Sequence, residues 1–182
     1  MSQKITRRRF LQAGAAVLAV AALTACGGET PSPAPATTAR TLGDVTFDIV
    51  GEAYASKEGG SMGEVTEASQ DYIFMLSVKN GSTKDAAKLS DVKATLQLED
   101  KAAVETLDET EIRKRYSLNN AKELRTLVVA PQGSAEGCVG FIQKANQRIR
   151  LQTCYLTIEY ANKKVTYKIN GQVVTAGSVT NA

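Results

Sequence analysis

The chain has 182 residues and no histidine, and its 22 Lys and Arg residues slightly outnumber its 19 Asp and Glu residues. The absence of histidine excludes Ser-His-Asp and Cys-His catalysis and every histidine-ligated metal site. The positive charge does not indicate nucleic-acid binding, because four basic residues and no acidic residue lie within residues 1–25, and removing them leaves 18 basic against 19 acidic residues.

The first 25 residues have the pattern of a secretory signal. Lys4 and the run Arg7-Arg8-Arg9 form a basic start, and residues 13–25 are almost entirely Ala, Val, Leu and Gly. This apolar run is too short for a transmembrane helix, which needs roughly 20 residues. We therefore assign residues 1–25 to a signal peptide.

The basic start also contains a more specific motif. Residues 6–11, Thr-Arg-Arg-Arg-Phe-Leu, resemble the twin-arginine export signal, and Gln12 stands where that pattern often has Lys. The residues at the motif positions are Arg7, Arg8, Phe10 and Leu11. A basic start also serves the general secretory route, so both export routes stay open.

The signal ends in a second motif. Leu23-Thr24-Ala25-Cys26 resembles the bacterial lipobox, an aliphatic residue and two small residues before a cysteine. The resemblance implies that the Cys26 thiol receives a diacylglycerol and that the signal is cleaved just before it. Two acyl chains anchor a protein stably, whereas one anchors it only marginally. We expect a lipid-anchored protein on the extracytoplasmic side of the cell membrane; the alternative is an ordinary secretory signal with an incidental cysteine.

Residues 26–41 are predicted to be the lipidated cysteine and a disordered linker. Pro31, Pro33 and Pro35 alternate with small residues, and the stretch offers nothing that a hydrophobic core could bury.

From residue 42 onward, the hydrophobic pattern is typical of short β-strands. Residues 44–49 and 92–98 alternate polar with apolar side chains, which predicts half-buried strands. Residues 72–78 are apolar on both faces, which predicts a central strand. Its two faces are Tyr72, Phe74, Leu76 and Val78 on one side and Ile73 and Met75 on the other. Further strands are predicted at 124–129, 138–142, 151–160 and 165–169.

Three stretches are predicted to lie outside the strands. Residues 51–70, rich in Gly, Ser and Glu, are predicted to form a long mobile loop, with room for a short strand near Tyr54. Residues 108–116 are the one predicted helix, with Asp108 as its cap. Residues 171–182 are small and polar and are predicted to be a flexible tail.

About seven or eight short strands with almost no helix predict an all-β protein, an antiparallel β-sandwich over residues 42–170. Residues 76–82, Leu-Ser-Val-Lys-Asn-Gly-Ser, and residues 130–141, Ala-Pro-Gln-Gly-Ser-Ala-Glu-Gly-Cys-Val-Gly-Phe, resemble the telokin-like, immunoglobulin-like domains of bacterial lipoproteins. The resemblance implies an immunoglobulin-like fold and an envelope location, and it assigns no catalytic residue.

Two cysteines remain once Cys26 is assigned to lipid. Cys138 and Cys154 form an even pair in an exported domain, which predicts a disulfide between them. The alternative is that both are small buried apolar side chains.

No motif supplies catalytic or metal-binding machinery. Ser90-Asp91-Val92-Lys93 fits Ser-x-x-Lys, but that chemistry places both residues on one helix and Lys93 lies on a predicted strand. The acidic residues between 99 and 111 lack the spacing of a calcium loop. Neighbouring acids offset the basic run 113–116. We therefore expect no metal and no cofactor.

The sequence favours a non-catalytic, membrane-anchored binding or accessory domain whose partner is an envelope protein. An envelope structural or assembly factor is the alternative, and an enzyme without histidine ranks third. A solute receptor fits less well, because one domain of this length lacks the two lobes that close around a ligand.

Overall fold

The computed structural model describes residues 37–59, 67–108, 110–112, 122–147, 149–171 and 173–182. The predicted signal, the lipobox through Cys26 and most of the predicted linker lie outside these residues. Most of the predicted helix 108–116 and the basic run 113–116 also lie outside them.

The described residues form an all-β sandwich, which confirms the predicted fold class. The first sheet has five strands in the order β1, β2, β3, β8, β6. Their bounds are β1 Arg40–Leu42, β2 Val45–Gly59, β3 Glu67–Asn80, β8 Ser134–Ala145 and β6 Val104–Leu107.

The second sheet packs over one face of the first. Its order is β11, β10, β9, β5, and β12 also pairs with β10. The bounds are β5 Lys93–Leu98, β9 Cys154–Tyr160, β10 Lys163–Asn170, β11 Val173–Ala176 and β12 Thr180–Asn181. A short ladder joins β4 Ala87–Lys88 to β7 Val128–Val129, next to the 3-10 turns Leu89–Asp91 and Leu124–Thr126.

Strand β3 lies in the middle of the first sheet and is buried on both faces, as its sequence predicts. Tyr72, Phe74 and Leu76 belong to the core between the sheets, whereas Ile73 belongs to a second cluster on the opposite face. Alternate side chains of a strand point to opposite faces, so one apolar run supplies two cores. The Tyr167 hydroxyl joins the two sheets by donating to the Phe47 carbonyl oxygen at 3.1 Å.

The segment after β6 covers the second cluster. Residues 110–112 are helical, and the Asp108 carboxylate accepts a hydrogen bond from the Glu111 backbone N–H at 2.9 Å, as expected of a cap. Ile112 is fully buried there, beside Ile73. The segment therefore contributes to a core, although few of its residues are apolar.

Two predictions about irregular segments are wrong. The predicted loop 51–70 is strand over residues 51–59 and 67–70, because these residues pair along β2 and β3 from Gly51–Met75 to Gly59–Glu67. The predicted tail 171–182 contains β11 and β12, which pair with β10 and form the edge of the second sheet. The fold also begins before residue 42, with β1 at Arg40.

The two segments that resemble the lipoprotein domains meet at one end of the sandwich. The Asn80 side-chain amide donates to the carbonyl oxygens of Val129 at 3.0 Å and Asp85 at 2.8 Å. The backbone N–H of Gln132 donates to the Ser82 carbonyl oxygen at 2.9 Å. These hydrogen bonds hold the turn after β3 against the turn before β8.

Gly140 allows the 110–112 segment to approach β8 closely. A Cβ at this position would lie 2.8 Å from Ile112 Cδ1 and 2.9 Å from Ile73 Cδ1, distances that real contacts do not tolerate. We predict that Gly140→Ala lowers the free energy of unfolding by about 1–3 kcal/mol. Urea titration followed by circular dichroism measures this change.

Gly51→Ala is the matched control, because the added Cβ would meet Met75 Cβ at an ordinary 3.6 Å. We expect this variant to stay within about 0.5 kcal/mol of the parent. Equal effects of the two substitutions would contradict the close packing at Gly140.

Candidate functional site

Three strands of the first sheet are longer than the strands that face them. β2, β3 and β8 have 15, 14 and 12 residues, whereas β5, β9 and β10 have 6, 7 and 8. The second sheet ends where Leu98 pairs with Cys154. The first sheet continues past this level to the pairs Gly59–Glu67 and Ala68–Ala145. We call this continuation, residues 55–59, 67–71 and 142–145, the blade.

The inner face of the blade carries buried amide side chains. Gln70 and Gln143 lie opposite each other on β3 and β8 and are only 2% and 5% exposed. Gln70 Nε2 donates to the carbonyl oxygens of Ala55 at 3.2 Å and Asp71 at 3.0 Å. The Ser56 hydroxyl donates to Gln70 Oε1. These hydrogen bonds hold the buried amide in place. They are needed because a buried polar group without a partner costs free energy of folding.

Aromatic rings adjoin these amides. The Tyr72 hydroxyl donates to Gln143 Oε1 at 3.1 Å. The Tyr54 ring meets the Tyr72 ring edge to face at 5.8 Å and the Phe74 ring at 6.5 Å. Such edge contacts stabilise aromatic pairs beyond the burial of their area. We call Tyr54, Gln70, Tyr72 and Gln143 the tyrosine–glutamine cluster.

A carboxyl group and a thiol lie beside this cluster. Burial raises the pKa of Glu52 above its ordinary value. Burial, and then the charge of Glu52, raises the pKa of the Cys154 thiol to about 12. Burial, and then the charges of Glu52, Cys154 and Tyr72, raises the pKa of Tyr54 well above its ordinary value. Charge is therefore disfavoured at this end of the core.

These pKa directions limit the chemistry of the cluster. A thiol with a pKa of about 12 is protonated at neutral pH and is a poor nucleophile. The glutamine amides do not titrate, and the tyrosine hydroxyls keep their protons. The cluster therefore supplies fixed internal hydrogen bonds and ring contacts that hold β2, β3 and β8 together, rather than groups poised for proton transfer.

The predicted disulfide is absent, because the two cysteines lie on different faces. Cys138 is on β8 in the cluster with Ile73 and Ile112, outside the sandwich core. Cys154 is on β9 and points into the core between the sheets. The first sheet separates the two sulfur atoms, and both cysteines are thiols buried among apolar side chains, which was the alternative interpretation.

The other candidate motifs do not assemble into a site. Ser90 lies in a 3-10 turn and Lys93 begins β5, so the pair does not share a helix face. Asp100 closes its own loop by accepting from the Ala102 backbone N–H at 2.8 Å and from Gln152, and the hydrogen bond from Gln152 lowers the pKa of its carboxyl group. Within the described ranges, no three His, Cys, Asp or Glu side chains come together in an arrangement that could hold a metal ion.

Sequence reasoning missed the tyrosine–glutamine cluster because half of it falls within the predicted loop. One signal was available: Glu52, Tyr54 and Ser56 alternate with the small residues Ala53 and Ala55. That alternation is typical of a strand with one polar and aromatic face.

The fold and the cluster define an all-β sandwich domain with an extended hairpin. None of the described helices is long and apolar enough to cross a membrane. No protein-family model, curated protein or solved structure matches the chain.

The hydrogen bond between Tyr72 and Gln143 generates a prediction about stability. Gln143→Leu leaves the buried Tyr72 hydroxyl without its acceptor and is expected to cost about 1–3 kcal/mol. Tyr72→Phe in the same chain removes the unpaired hydroxyl, so the double variant should recover part of the loss. Urea titrations of all four members of this cycle measure the coupling, and purely additive losses would contradict it.

The raised pKa of Cys154 generates a prediction about pH. Above pH 9.0, the ordinary pKa, the unfolded thiol ionises while the folded thiol keeps its proton until about pH 12. Folding then retains a proton that unfolding releases, so stability falls as pH rises, by up to about 1.4 kcal/mol per pH unit from this group. Cys154→Ala should flatten this slope in urea titrations between pH 9 and 11. Identical slopes in the parent and the variant would contradict the assignment.

Proposed function

We propose that this protein is a bacterial lipoprotein whose immunoglobulin-like sandwich binds an envelope partner while the lipid on Cys26 holds it at the outer side of the cell membrane. The observation that carries the proposal is the order of the chain. A basic start, a short apolar run and Leu23-Thr24-Ala25-Cys26 precede a folded domain that begins with β1 at Arg40.

The spacing between the anchor and the fold suits this arrangement. Residues 27–36 separate Cys26 from the first described residue. In a polyproline conformation, these residues reach about 30 Å, enough to hold a domain clear of lipid headgroups. The domain then needs no membrane-spanning segment of its own.

The blade supports binding as the activity. It extends β2, β3 and β8 past the second sheet, with β6 paired along β8, and the tyrosine–glutamine cluster fixes this surface with hydrogen bonds and ring contacts. A rigid surface loses little entropy on binding, which favours recognition of a partner. The buried thiol and amides offer no group that is poised to transfer a proton near pH 7.

One observation favours the second candidate, an envelope assembly factor. β1 covers β2 only over Val45–Phe47, so the remaining length of β2 is an edge strand within the described residues. An edge strand offers backbone groups to another chain, which is how many assembly proteins contact their clients.

The lipid anchor generates a prediction about the N-terminal peptide of the mature protein. The N-terminal peptide of the mature protein should begin at Cys26 and carry two or three acyl chains, and Cys26→Ala should release the domain from membranes. Mass spectrometry of the peptide and fractionation of the variant test both points. A mature N-terminus elsewhere, or retention of the Cys26→Ala protein on membranes, would contradict the proposal.

A variant with a shorter β2–β3 hairpin tests whether binding can be lost while the fold is kept. Replacing residues 58–68 by Asn-Gly joins Lys57 to its partner Ser69 through a tight turn and keeps Gln70 opposite Ser56. We expect the circular dichroism spectrum to persist while partner capture from detergent-solubilised membranes falls. Leu96→Asp, at a core-facing position of β5, should abolish both folding and capture.

Thr95→Ala is the control for this experiment, because it alters an exposed position of β5 and removes no core contact. It should leave capture unchanged. Undiminished capture by a folded, shortened hairpin would show that the partner binds elsewhere.

A further inference from the structure

One side of β2 is uncovered along most of its length. β2 pairs with β3 from Val45 to Gly59, but its pairing with β1 stops at Phe47. Among the described residues, no strand pairs with the β1 side of residues 49–59. The backbone groups on this side are therefore available to a strand of another chain.

The hydrogen-bond pattern identifies these backbone groups. The Gly81 backbone N–H donates to the Asp44 carbonyl oxygen at 2.7 Å, next to the pair Val45–Asn80. Val45 and Asn80 are therefore a pair that is not hydrogen-bonded to each other, and the backbone groups of Val45 point away from β3. Such pairs alternate along an antiparallel ladder, so Phe47 also directs its backbone groups toward β1.

A β-bulge between Ile49 and Gly51 shifts this alternation by one residue of β2. The even-numbered residues of β3 hold the positions without hydrogen bonds to β2 along the whole ladder. Beyond the bulge, they pair with Glu52, Tyr54 and Ser56. The backbone groups of these three residues therefore point toward the uncovered side.

The uncovered stretch is complementary to itself. Two copies of one edge strand pair antiparallel around a two-fold axis perpendicular to the sheet, so each residue lies opposite a residue on the same face. Residues 49–59 are centred on Tyr54. An axis at this residue aligns the whole stretch with its copy and gives the pairs Tyr54–Tyr54, Glu52–Ser56 and Ala53–Ala55.

Charge favours this register over its neighbours. An axis at Ala55 would place Glu52 opposite Glu58 of the other copy, and like charges directly opposite each other are destabilising. An axis at Tyr54 places Glu58 beside Val50 and the lysine of the stretch opposite a glycine. Val50 is 52% exposed, so this register also covers an apolar side chain at the start of the uncovered stretch.

We propose that β2 pairs antiparallel with β2 of a second copy of this chain around a two-fold axis at Tyr54. The pairing joins two five-stranded sheets into one continuous sheet. Because the copies run in opposite directions, their second sheets lie at opposite ends of the joined strands. This dimer goes beyond the proposed function and does not depend on the lipid on Cys26.

Cysteine cross-linking of the full chain in detergent tests the register. Ala53 and Ala55 of different copies form a pair without mutual hydrogen bonds, whose Cα atoms are about 4.5 Å apart, within the range of a disulfide. We expect the double variant Ala53→Cys, Ala55→Cys to form a disulfide-linked dimer on mild oxidation. Non-reducing electrophoresis measures the linked fraction.

The two single variants are the matched controls. Position 53 or 55 meets the same position of the other copy only diagonally, at roughly 7–8 Å, which is too far for a disulfide. The parent chain reports any cross-link through its own three cysteines. No linked dimer from the double variant would overturn the proposal. Equal linking of a single variant would also overturn it, since it would place the axis at a different residue.

A proline variant tests the hydrogen bonds of the new ladder. The Ser56 backbone N–H points toward the uncovered side, so Ser56→Pro removes no hydrogen bond to β3 but two from the dimer, one for each copy. We expect the dimer of the full chain to dissociate about tenfold more readily in sedimentation experiments in detergent.

Ser56→Ala is the control, because it also lacks the hydroxyl that donates to Gln70 but keeps the backbone N–H. It should dimerise as the parent does. A parent chain that stays monomeric at every concentration would overturn the proposal, as would equal dimerisation of the parent and a folded Ser56→Pro variant. If Ser56→Pro does not fold, the cross-linking of the cysteine variants decides.

Discussion

Burial of β3 on both faces is the constraint on which the rest of the structure depends. A strand with Tyr72, Phe74 and Leu76 on one side and Ile73 on the other must be covered twice. The second sheet covers the first side, and the segment after β6 covers the other through Ile112. Each cover removes apolar area from water, which stabilises the fold by about 25 cal/mol per Å² of apolar area buried. The positions of the second sheet and of the segment with Ile112 follow from this need for two covers.

The same constraint explains the position of the candidate site. β3 extends past the end of the second sheet, and there its inner face changes from apolar residues to the polar Gln70, next to Tyr72 at the end of the core. Because these side chains are still buried, they are joined to Gln143 and to the Ala55 carbonyl oxygen. The hydrogen bonds that satisfy them also fix the blade. The blade thus gains its rigidity from buried polar groups that are paired with one another.

The sequence best predicted the features that depend on the residues of one strand alone. The alternation in 72–78 assigned both faces of β3 and its central position, because period-two patterning reports the pleat directly. The tyrosine–glutamine cluster and the strand 51–59 were missed, because the Gly, Ala and Ser residues of this stretch favour strands weakly and pairing with β3 holds them. The strand 173–176 was missed although Val173, Val174 and Thr175 favour strands, because it has only four residues and is held by its pairing with β10. The disulfide between Cys138 and Cys154 was wrongly predicted. A disulfide requires the two Cβ atoms to face each other, and this depends on which sheet each strand joins and which face each cysteine occupies. The number of residues between the two cysteines gives neither.

We propose that a lipid on Cys26 attaches a self-contained folded domain to the membrane. Insertion of a protease site between Gly28 and Glu29 tests it most directly, in membranes washed with high salt before cleavage. We expect that salt leaves the protein on the membrane and that cleavage releases a soluble, folded, β-rich domain. Release by salt before cleavage, or a domain that still sediments with the membranes after complete cleavage, would contradict it.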